Sequence, residues 1–223
     1  HAFSGVPVLL SAAARKVCYQ MPVWLLLPEL LPRMAKDHPH LFFSLKQYDS
    51  REVANHIINM DAEIGIVGTA MEKNKCIFEP FADDQLVVVT PNSEKFRALG
   101  GDFPLDLLKK EPFILREYGS GTRKETEDSL TQMGVDPKAL HVIAQMDSTE
   151  SIKQAVAKGL GISITSRIAA EDYVRFGMLL AFDLKSEYLK RKFYFVYHKD
   201  RPLSPAAEAF MKFAKEYFSE HPE

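Results

Sequence analysis

The sequence predicts an α/β fold built from two subdomains, and three observations support this prediction. Short apolar runs alternate with amphipathic stretches along most of the 223 residues. Such strand–helix alternation implies α/β layers with largely parallel sheets. The alternation occurs in two runs, which the polar, glycine-bearing residues 92–102 separate as a predicted loop. The hydrophobic fraction of 46% is ordinary for a globular chain.

The first run starts with a short strand and contains two predicted helices. One helix is expected over residues 24–36, or from Pro28, because proline fits the first turn of a helix. Asp49 and Glu52 have the spacing of a capping box, which predicts a second helix. The buried face of that helix would consist of Val53, Ile57 and Met60. Strands are predicted at residues 16–19, 41–45, 63–69, 76–81 and 85–90.

The second run repeats the alternation. Gly134 and Gly159 follow two helical patterns, as glycine commonly does at helix C-termini. Helices are predicted at residues 104–110, 122–133, 148–158, 168–173 and 205–218. Strands are predicted at residues 113–117, 141–146, 162–165, 179–183 and 193–198.

The charge balance, the two cysteines and the apolar stretches argue against a nucleic-acid-binding segment, a metal site and a membrane span. Lys and Arg number 28 against 30 Asp and Glu, so this segment lacks the cationic surplus that binding to the phosphates of DNA or RNA needs, and we do not expect it to bind nucleic acid by itself. Cys18 and Cys76 show no metal-ligand spacing, and we predict no metal and no cofactor. No secretory signal is visible, and the longest apolar stretch, residues 21–31, is too short to cross a bilayer. We therefore expect a cytoplasmic protein without a membrane partner.

The best candidate binding feature is an apolar strand that runs into a glycine- and hydroxyl-rich turn and then a helix. Thr122 and Glu125 have the spacing of a capping box at the start of that helix. Backbone N–H groups at a helix start carry the positive end of the dipole, and glycine lets a ligand approach closely. Ser120, Gly121 and Thr122 could therefore hold an anion or a carboxylate. An ordinary, well-capped turn explains the same residues equally well.

A second helix start follows the next predicted strand. Asp147 or Ser148 can cap this helix. In an open α/β sheet, helix starts lie at the carboxyl ends of the strands, where ligands bind. Ser148 and Thr149 could therefore converge with Ser120 and Thr122 on one cleft, or they could simply cap the helix. Three further polar residues follow or end strands, and each alone is more often a turn residue than a ligand contact: Gln20, Thr69 and Thr90.

The sequence offers no convincing catalytic set. Its seven histidines are scattered, and no Ser-His-Asp arrangement or GxSxG elbow can be assembled. We predict no catalytic residues and no enzymatic activity.

Taken together, these stretches resemble the effector-binding domain of LysR-type transcriptional regulators, from about Lys16 to Phe218. The order and spacing of several segments carry the resemblance, rather than any single motif. They are LLPELL (26–31) with His38-Pro39 behind it, DAEIGIVG (61–68), QLVVVTP (85–91), FILREYGSGTR (113–123), IKQAVAKGLG (152–161) and FVYHKDRPLSPA (195–206).

The resemblance implies a fold like that of type II periplasmic binding proteins. Two Rossmann-like subdomains, residues 15–89 with 190–223 and residues 90–189, would be joined by two crossover strands. Residues 1–14 would be a linker remnant or a tag. The family holds a small-molecule effector in the cleft between the subdomains. Its contacts correspond here to Gln20, Met21, Gly68, Thr69, Thr90, Ser120, Gly121, Thr122, Ser148 and Thr149.

The resemblance also implies partners. The intact protein would carry an N-terminal winged helix-turn-helix that binds DNA, and the effector would control transcription by a dimer or tetramer of the full-length chain. The effector is expected to be anionic or to bear a carboxylate. Family members often have Ser or Thr after the first strand, where this chain has Tyr19-Gln20-Met21-Pro22. This departure predicts a different or larger effector.

Two alternatives share the fold. One is the solute-binding protein of an ABC transporter, against which the lack of a secretory signal argues. The other is an enzyme such as a prephenate dehydratase or a phosphoribosyltransferase, against which the lack of an acid–base set argues. A helix-turn-helix, a secretory signal or a catalytic segment upstream would discriminate among the three.

Overall fold

A computed structural model describes residues 17–19, 27–37, 39, 45–71, 74–184 and 187–220. The chain forms two compact units. Unit 1 comprises residues 1–83 and 192–223, and unit 2 comprises residues 84–191. The chain passes from one unit to the other within two strands, Cys76–Pro91 and Lys190–His198.

Unit 1 is a mixed sheet with helices. Its elements are β1 (Val17–Tyr19), α1 (Leu27–Asp37), β2 (Leu45–Gln47), α2 (Ser50–Ile58), β3 (Ile64–Val67), the first part of β4 (Cys76–Pro91), most of β9 (Lys190–His198) and α8 (Pro205–Glu220). β1 pairs with β2 and with β3 in the parallel sense. β9 pairs with β3 in the antiparallel sense and lies beside β4.

Helix α2 begins as the sequence predicts and ends earlier. Asp49 and Glu52 form the predicted capping box, and Val53 and Ile57 are fully buried. The prediction that Met60 shares their face is wrong, because the helix ends at Ile58 and Met60 is 52% exposed. Met60 has a φ of 60°, so the chain turns left-handed there and leaves the helix direction.

Strand β4 is continuous, and the prediction of two strands at 76–81 and 85–90 is wrong. Asp83 and Asp84 lie between the two predicted strands, and each carboxylate has a cationic partner. Lys192 donates to Asp83 at 2.6 Å, and Nε of Arg191 donates to Asp84 at 2.7 Å. The Asp84 side chain is fully buried. Because these charges are compensated, the strand continues through both aspartates.

Unit 2 is an α/β sheet in which three parallel strands are each followed by a helix. The elements are α3 (Glu94–Arg97), α4 (Leu105–Lys110), β5 (Phe113–Arg116), α5 (Gly121–Gln132), β6 (Val142–Met146), α6 (Thr149–Ala157), β7 (Ser163–Ser166), α7 (Arg167–Arg175) and β8 (Leu179–Phe182), with 3₁₀ turns at Pro137–Ala139 and Glu187–Leu189. β5 pairs with β6, and a bridge from Phe113 to Ile162 brings the chain entering β7 to the other side of β5. β4 pairs antiparallel with β7 and with β8.

The β-branched run near the end of β4, residues 87–89, is apolar on both faces because each face packs against a buried cluster of unit 2. Leu86 and Val88 pack into one buried cluster, whereas Val87 and Val89 pack into another. Successive side chains of a strand point to opposite faces, so both faces of this strand are covered. The predicted loop at 92–102 is only partly correct, because it contains α3, whose Phe96 is 4% exposed and joins the first cluster.

Candidate functional site

Helices α5 and α6 begin at the same edge of the sheet of unit 2. They follow β5 and β6, which are parallel neighbours, so both helix starts lie at carboxyl ends of strands. Arg116, the last residue of β5, donates from Nη1 to the hydroxyl oxygen of Thr149 at the start of α6 over 2.8 Å. The amide of Glu117 donates to the carbonyl of Met146 at 3.1 Å. The two predicted helix starts are therefore connected within one unit.

Ser120 caps α5, and the predicted capping box of Thr122 with Glu125 is wrong. Ser120 Oγ accepts from the amide of Arg123 at 3.4 Å, so the helix starts at Gly121. Gly119, with a φ of 102°, makes the turn that places Ser120 before the first helical residue. The hydroxyl oxygen of Thr122 accepts instead from Nη1 of Arg191 at 3.2 Å.

Ser148 caps α6 by accepting from the amide of Ser151 at 3.3 Å. Asp147, the other residue predicted as a possible cap, is not the N-cap of α6. Its backbone carbonyl lies 3.5 Å from Nη2 of Arg116. Thr149, the first helical residue, is 3% exposed. The prediction that Ser148 can cap this helix is therefore confirmed, and a role of Ser148 and Thr149 in ligand binding stays a prediction.

Three arginines with buried guanidinium groups lie at these helix starts, and none of them was predicted as a site residue. Arg116 makes a two-point contact with Glu117, at 2.7 and 2.8 Å. Arg123 donates to Glu127 and Gln145, and its guanidinium carbon lies 3.7 Å from the centroid of the Tyr118 ring. Arg191 pairs with the fully buried Asp84. An arginine that ends an otherwise apolar strand, as in Phe-Ile-Leu-Arg, was the available signal.

The first turn of α6 also takes part in a network of hydrogen-bonded acidic, basic and phenolic side chains. Lys153 is fully buried, and its Nζ lies 3.0 Å from both Glu150 and Asp172. Partial burial raises the pKa of Glu150, but hydrogen bonds from Tyr173 and Lys153 outweigh it and lower that pKa below its ordinary value. Burial and the hydrogen bond to Glu150 raise the pKa of Tyr173 to about 12. Glu150 is therefore a carboxylate bonded to its neighbours at neutral pH.

The remaining predicted contacts lie elsewhere. Thr90 is fully buried in β4, and its hydroxyl donates to the carbonyl of Pro91 at 3.2 Å. Gly68 and Thr69 follow β3 in unit 1, and both are buried. Gln20 and Met21 lie outside the described residues. That these residues meet the helix starts of unit 2 stays a prediction.

Within the described ranges, no group of three or more His, Cys, Asp or Glu side chains could hold a metal ion. Among the helices of the same ranges, none has the length and apolar character to cross a membrane.

Comparison with known proteins identifies the domain. The family model described as the LysR substrate binding domain matches residues 17–219. An uncharacterized HTH-type transcriptional regulator of Escherichia coli K12, YeiE, is 33% identical over 84% of this chain and 62% of its own length. The RuBisCO operon transcriptional regulator of Acidithiobacillus ferrooxidans is 32% identical over 84% of this chain and 59% of its own length. The chain thus spans about three fifths of the length of these relatives.

A solved structure agrees with the sequence comparison. The regulatory domain of CcmR from Synechocystis PCC6803, solved in complex with 2-PG, superposes with a TM-score of 0.84 and 26% identity, over 94% of this chain and 99% of that domain. The predicted α/β fold of the LysR effector-binding type is confirmed. The relatives are transcriptional regulators rather than solute-binding proteins of transporters. The chain therefore belongs to the LysR substrate-binding domain family, as an effector-binding domain.

Proposed function

We propose that this domain senses a small metabolite that bears an oxyanion, and that the oxyanion binds at the starts of α5 and α6. The connection between the two helix starts through Arg116 and Thr149 carries the proposal. It places two sets of terminal backbone N–H groups, with the hydroxyl groups of Ser120, Thr122, Ser148 and Thr149, at one edge of a sheet. Helix N-termini favour negative charge, because their N–H groups and dipoles point at the ligand.

Buried charge supports an anion rather than a cation. Arg116 is 5% exposed and Arg191 is 8% exposed, and both donate into hydroxyl oxygens at these helix starts. Their countercharges, Glu117 and Asp84, are bonded to the same guanidinium groups. The groups left for a ligand are therefore mainly donors. A carboxylate, sulfate or phosphate ester matches them in charge and in hydrogen bonding.

The full-length protein would use this binding to control transcription. The relatives are named as transcriptional regulators, and this chain covers only part of their length. We propose a helix-turn-helix outside this chain that binds DNA, and a dimer or tetramer whose activity the effector shifts. The ligand must then bind one arrangement of the protein better than the other. Such a regulator acts where chromosomal DNA is, in the cytoplasm, and this domain performs no catalysis.

Thermal unfolding against a panel of metabolites tests the proposal. The panel contains sulfate, thiosulfate, inorganic phosphate, 2-PG, O-acetylserine, nitrite and simple carboxylates. A ligand at a hundred times its dissociation constant stabilises by about 2.7 kcal/mol. For a domain of this size, the melting temperature should rise by about 5–10 °C.

Variants of one residue locate the site. Thr122→Val removes the hydroxyl at nearly constant volume, and Thr122→Ser keeps it. We expect Thr122→Val to lose most of the ligand-induced rise and Thr122→Ser to retain it. A rise that is equal in all three proteins would refute the location. A panel in which only cations or apolar compounds stabilise would refute the proposed ligand class.

A further inference from the structure

The hydroxyl oxygens of Thr122 and Thr149, at the starts of α5 and α6, each accept a hydrogen bond from a buried arginine. Nη1 of Arg191 donates to the hydroxyl oxygen of Thr122 at 3.2 Å, and Nη1 of Arg116 donates to that of Thr149 at 2.8 Å. The side chains of Arg191 and Arg116 are only 4% and 5% exposed. Each threonine oxygen therefore already serves as an acceptor inside the protein.

Both guanidinium groups are fixed by carboxylates. Asp84 accepts from Nε of Arg191 at 2.7 Å and from the hydroxyl of Ser166, also at 2.7 Å. Glu117 accepts from Nε and Nη2 of Arg116. Charge-assisted contacts of this kind hold the planar group in one orientation. The direction from which each threonine receives its hydrogen bond is thereby fixed.

This arrangement decides where the hydroxyl protons point. A threonine hydroxyl has one proton and two acceptor positions. The guanidinium occupies one acceptor position and repels the proton, since both carry positive charge. In the described part of the chain, neither Thr122 nor Thr149 has a protein acceptor for its proton. The two protons are therefore the groups that these side chains offer to a ligand.

We propose that Arg191 and Arg116 are positioning residues that make Thr122 and Thr149 donors, and that they select oxyanions without a proton of their own. This inference rests on the proposed function, since it refines the ligand class of the same site. An anion that still carries a proton must donate a hydrogen bond of its own. The two threonine hydroxyls are donors as well, so they offer its proton no acceptor, and this anion binds less tightly. Specificity of this kind comes from buried polar groups that the wrong ligand leaves unpaired.

Sulfate and inorganic phosphate are suitable probes, because they have similar size and shape. Sulfate carries no proton near neutral pH, whereas inorganic phosphate keeps at least one. Isothermal titration calorimetry at constant ionic strength gives the ratio of their dissociation constants. We expect the wild-type domain to prefer sulfate by about tenfold or more, as one unpaired buried donor or acceptor implies.

Conservative variants separate positioning from folding. Arg191→Lys keeps the charge but loses the planar donor to Thr122, and we expect the preference for sulfate to fall by about tenfold. Asp84→Asn keeps the size and an acceptor but loosens Arg191, and it should act in the same direction. Exposed Arg175 provides a matched control, and Arg175→Lys should leave the ratio unchanged. Circular dichroism verifies that each variant folds.

The outcomes distinguish the two proposals. If sulfate binding depends on Thr122 but the sulfate-to-phosphate ratio is the same in Arg191→Lys, Asp84→Asn and wild type, the positioning role is refuted and the anion site stands. A wild-type domain without preference for sulfate, or one that binds phosphate more tightly, refutes the positioning role as well. If neither these ions nor any anion of the metabolite panel binds, both proposals fail.

Discussion

At the residue scale, Gly161 shows how closely two segments of unit 2 approach each other. A Cβ atom at this position would lie 2.3 Å from the carbonyl oxygen of Pro112. The amide of Ile162 donates to the same oxygen at 2.8 Å, so the backbone there has little freedom to move. The contact lies where the chain enters β7 beside β5. A side chain at residue 161 would therefore disturb the pairing of these strands.

We predict that Gly161→Ala lowers the free energy of unfolding by about 1–3 kcal/mol, the usual cost of forcing an extra carbon into a packed site. Urea-induced unfolding measures the change. Gly101→Ala is the matched control, because a Cβ at residue 101 meets no atom within 4 Å. A Gly161→Ala variant as stable as Gly101→Ala would contradict the close approach.

The individual hydroxyl residues could be predicted from sequence, but their partners could not. Ser120 and Ser148 lie next to helix starts, and capping is a local pattern that spacing reveals. The partner of Thr122 is Arg191, which lies 69 residues away in sequence. Only the folded structure brings these two residues together. For that reason the sequence indicated donors at this edge and missed the guanidinium groups behind them.

At the scale of a single element, the end of α2 stores conformational strain at Met60. Its φ of 60° is left-handed, and a residue with a Cβ pays about 1–2 kcal/mol there. Glycine has no such cost but loses more entropy on folding. We predict that Met60→Gly raises the free energy of unfolding by about 0.5–1 kcal/mol.

Met60→Ala provides the comparison for this change. It also removes the half-exposed side chain, but it keeps the Cβ and therefore the strain. Thermal unfolding should place Met60→Gly above both wild type and Met60→Ala. A glycine variant that melts at or below the alanine variant would show that residue 60 is not left-handed in solution.

The contact between α6 and α7 makes stability depend on pH. The pKa of Glu150 is lowered in the folded protein by hydrogen bonds from Tyr173 and Lys153, which outweigh the effect of its burial. Its contribution to stability is therefore fully present above the pKa of an unfolded glutamate, about 4.3, and is lost as the pH falls through the lower, folded pKa. We predict that the stability advantage of wild type over Glu150→Gln shrinks as the pH falls from about 6 to about 3.

Chemical denaturation at several pH values measures this advantage. Exposed Glu208 serves as a control, and Glu208→Gln should show a smaller dependence on pH. If the difference between wild type and Glu150→Gln stays constant over the range, the carboxylate of Glu150 does not form these hydrogen bonds in solution.

Most elements could be predicted from periodicity and caps, and the exceptions have a common cause. The capping box at Asp49 and the glycines at residues 134 and 159 are local signals, and the helix boundaries follow them. β4 is continuous where two strands were predicted, and the ion pairs that hold Asp83 and Asp84 within it are not local. Local sequence shows that a charge is present, but only the folded structure shows that it is paired.

At the scale of the whole molecule, a chain of 223 residues forms two compact units and passes twice between them. The alternation of strands and helices predicted two subdomains, because each run can build its own sheet and core. The family resemblance implied boundaries after residues 89 and 189, which fall inside or just before the strands in which the units separate. Of the residues predicted as effector contacts, Gly68 and Thr69 belong to unit 1, whereas Thr90 and the residues of the two helix starts belong to unit 2.

Mapping of ligand binding by NMR tests the central claim most directly. Backbone amide shifts would be followed while the best ligand of the metabolite panel is titrated into the isotopically labelled domain. We predict that the first and largest changes occur at residues 119–123 and 147–151, the starts of α5 and α6, and that they saturate with one dissociation constant. Changes confined to unit 1, for example around its pocket of about 330 Å³ beside Glu79 and Lys215, would contradict the account.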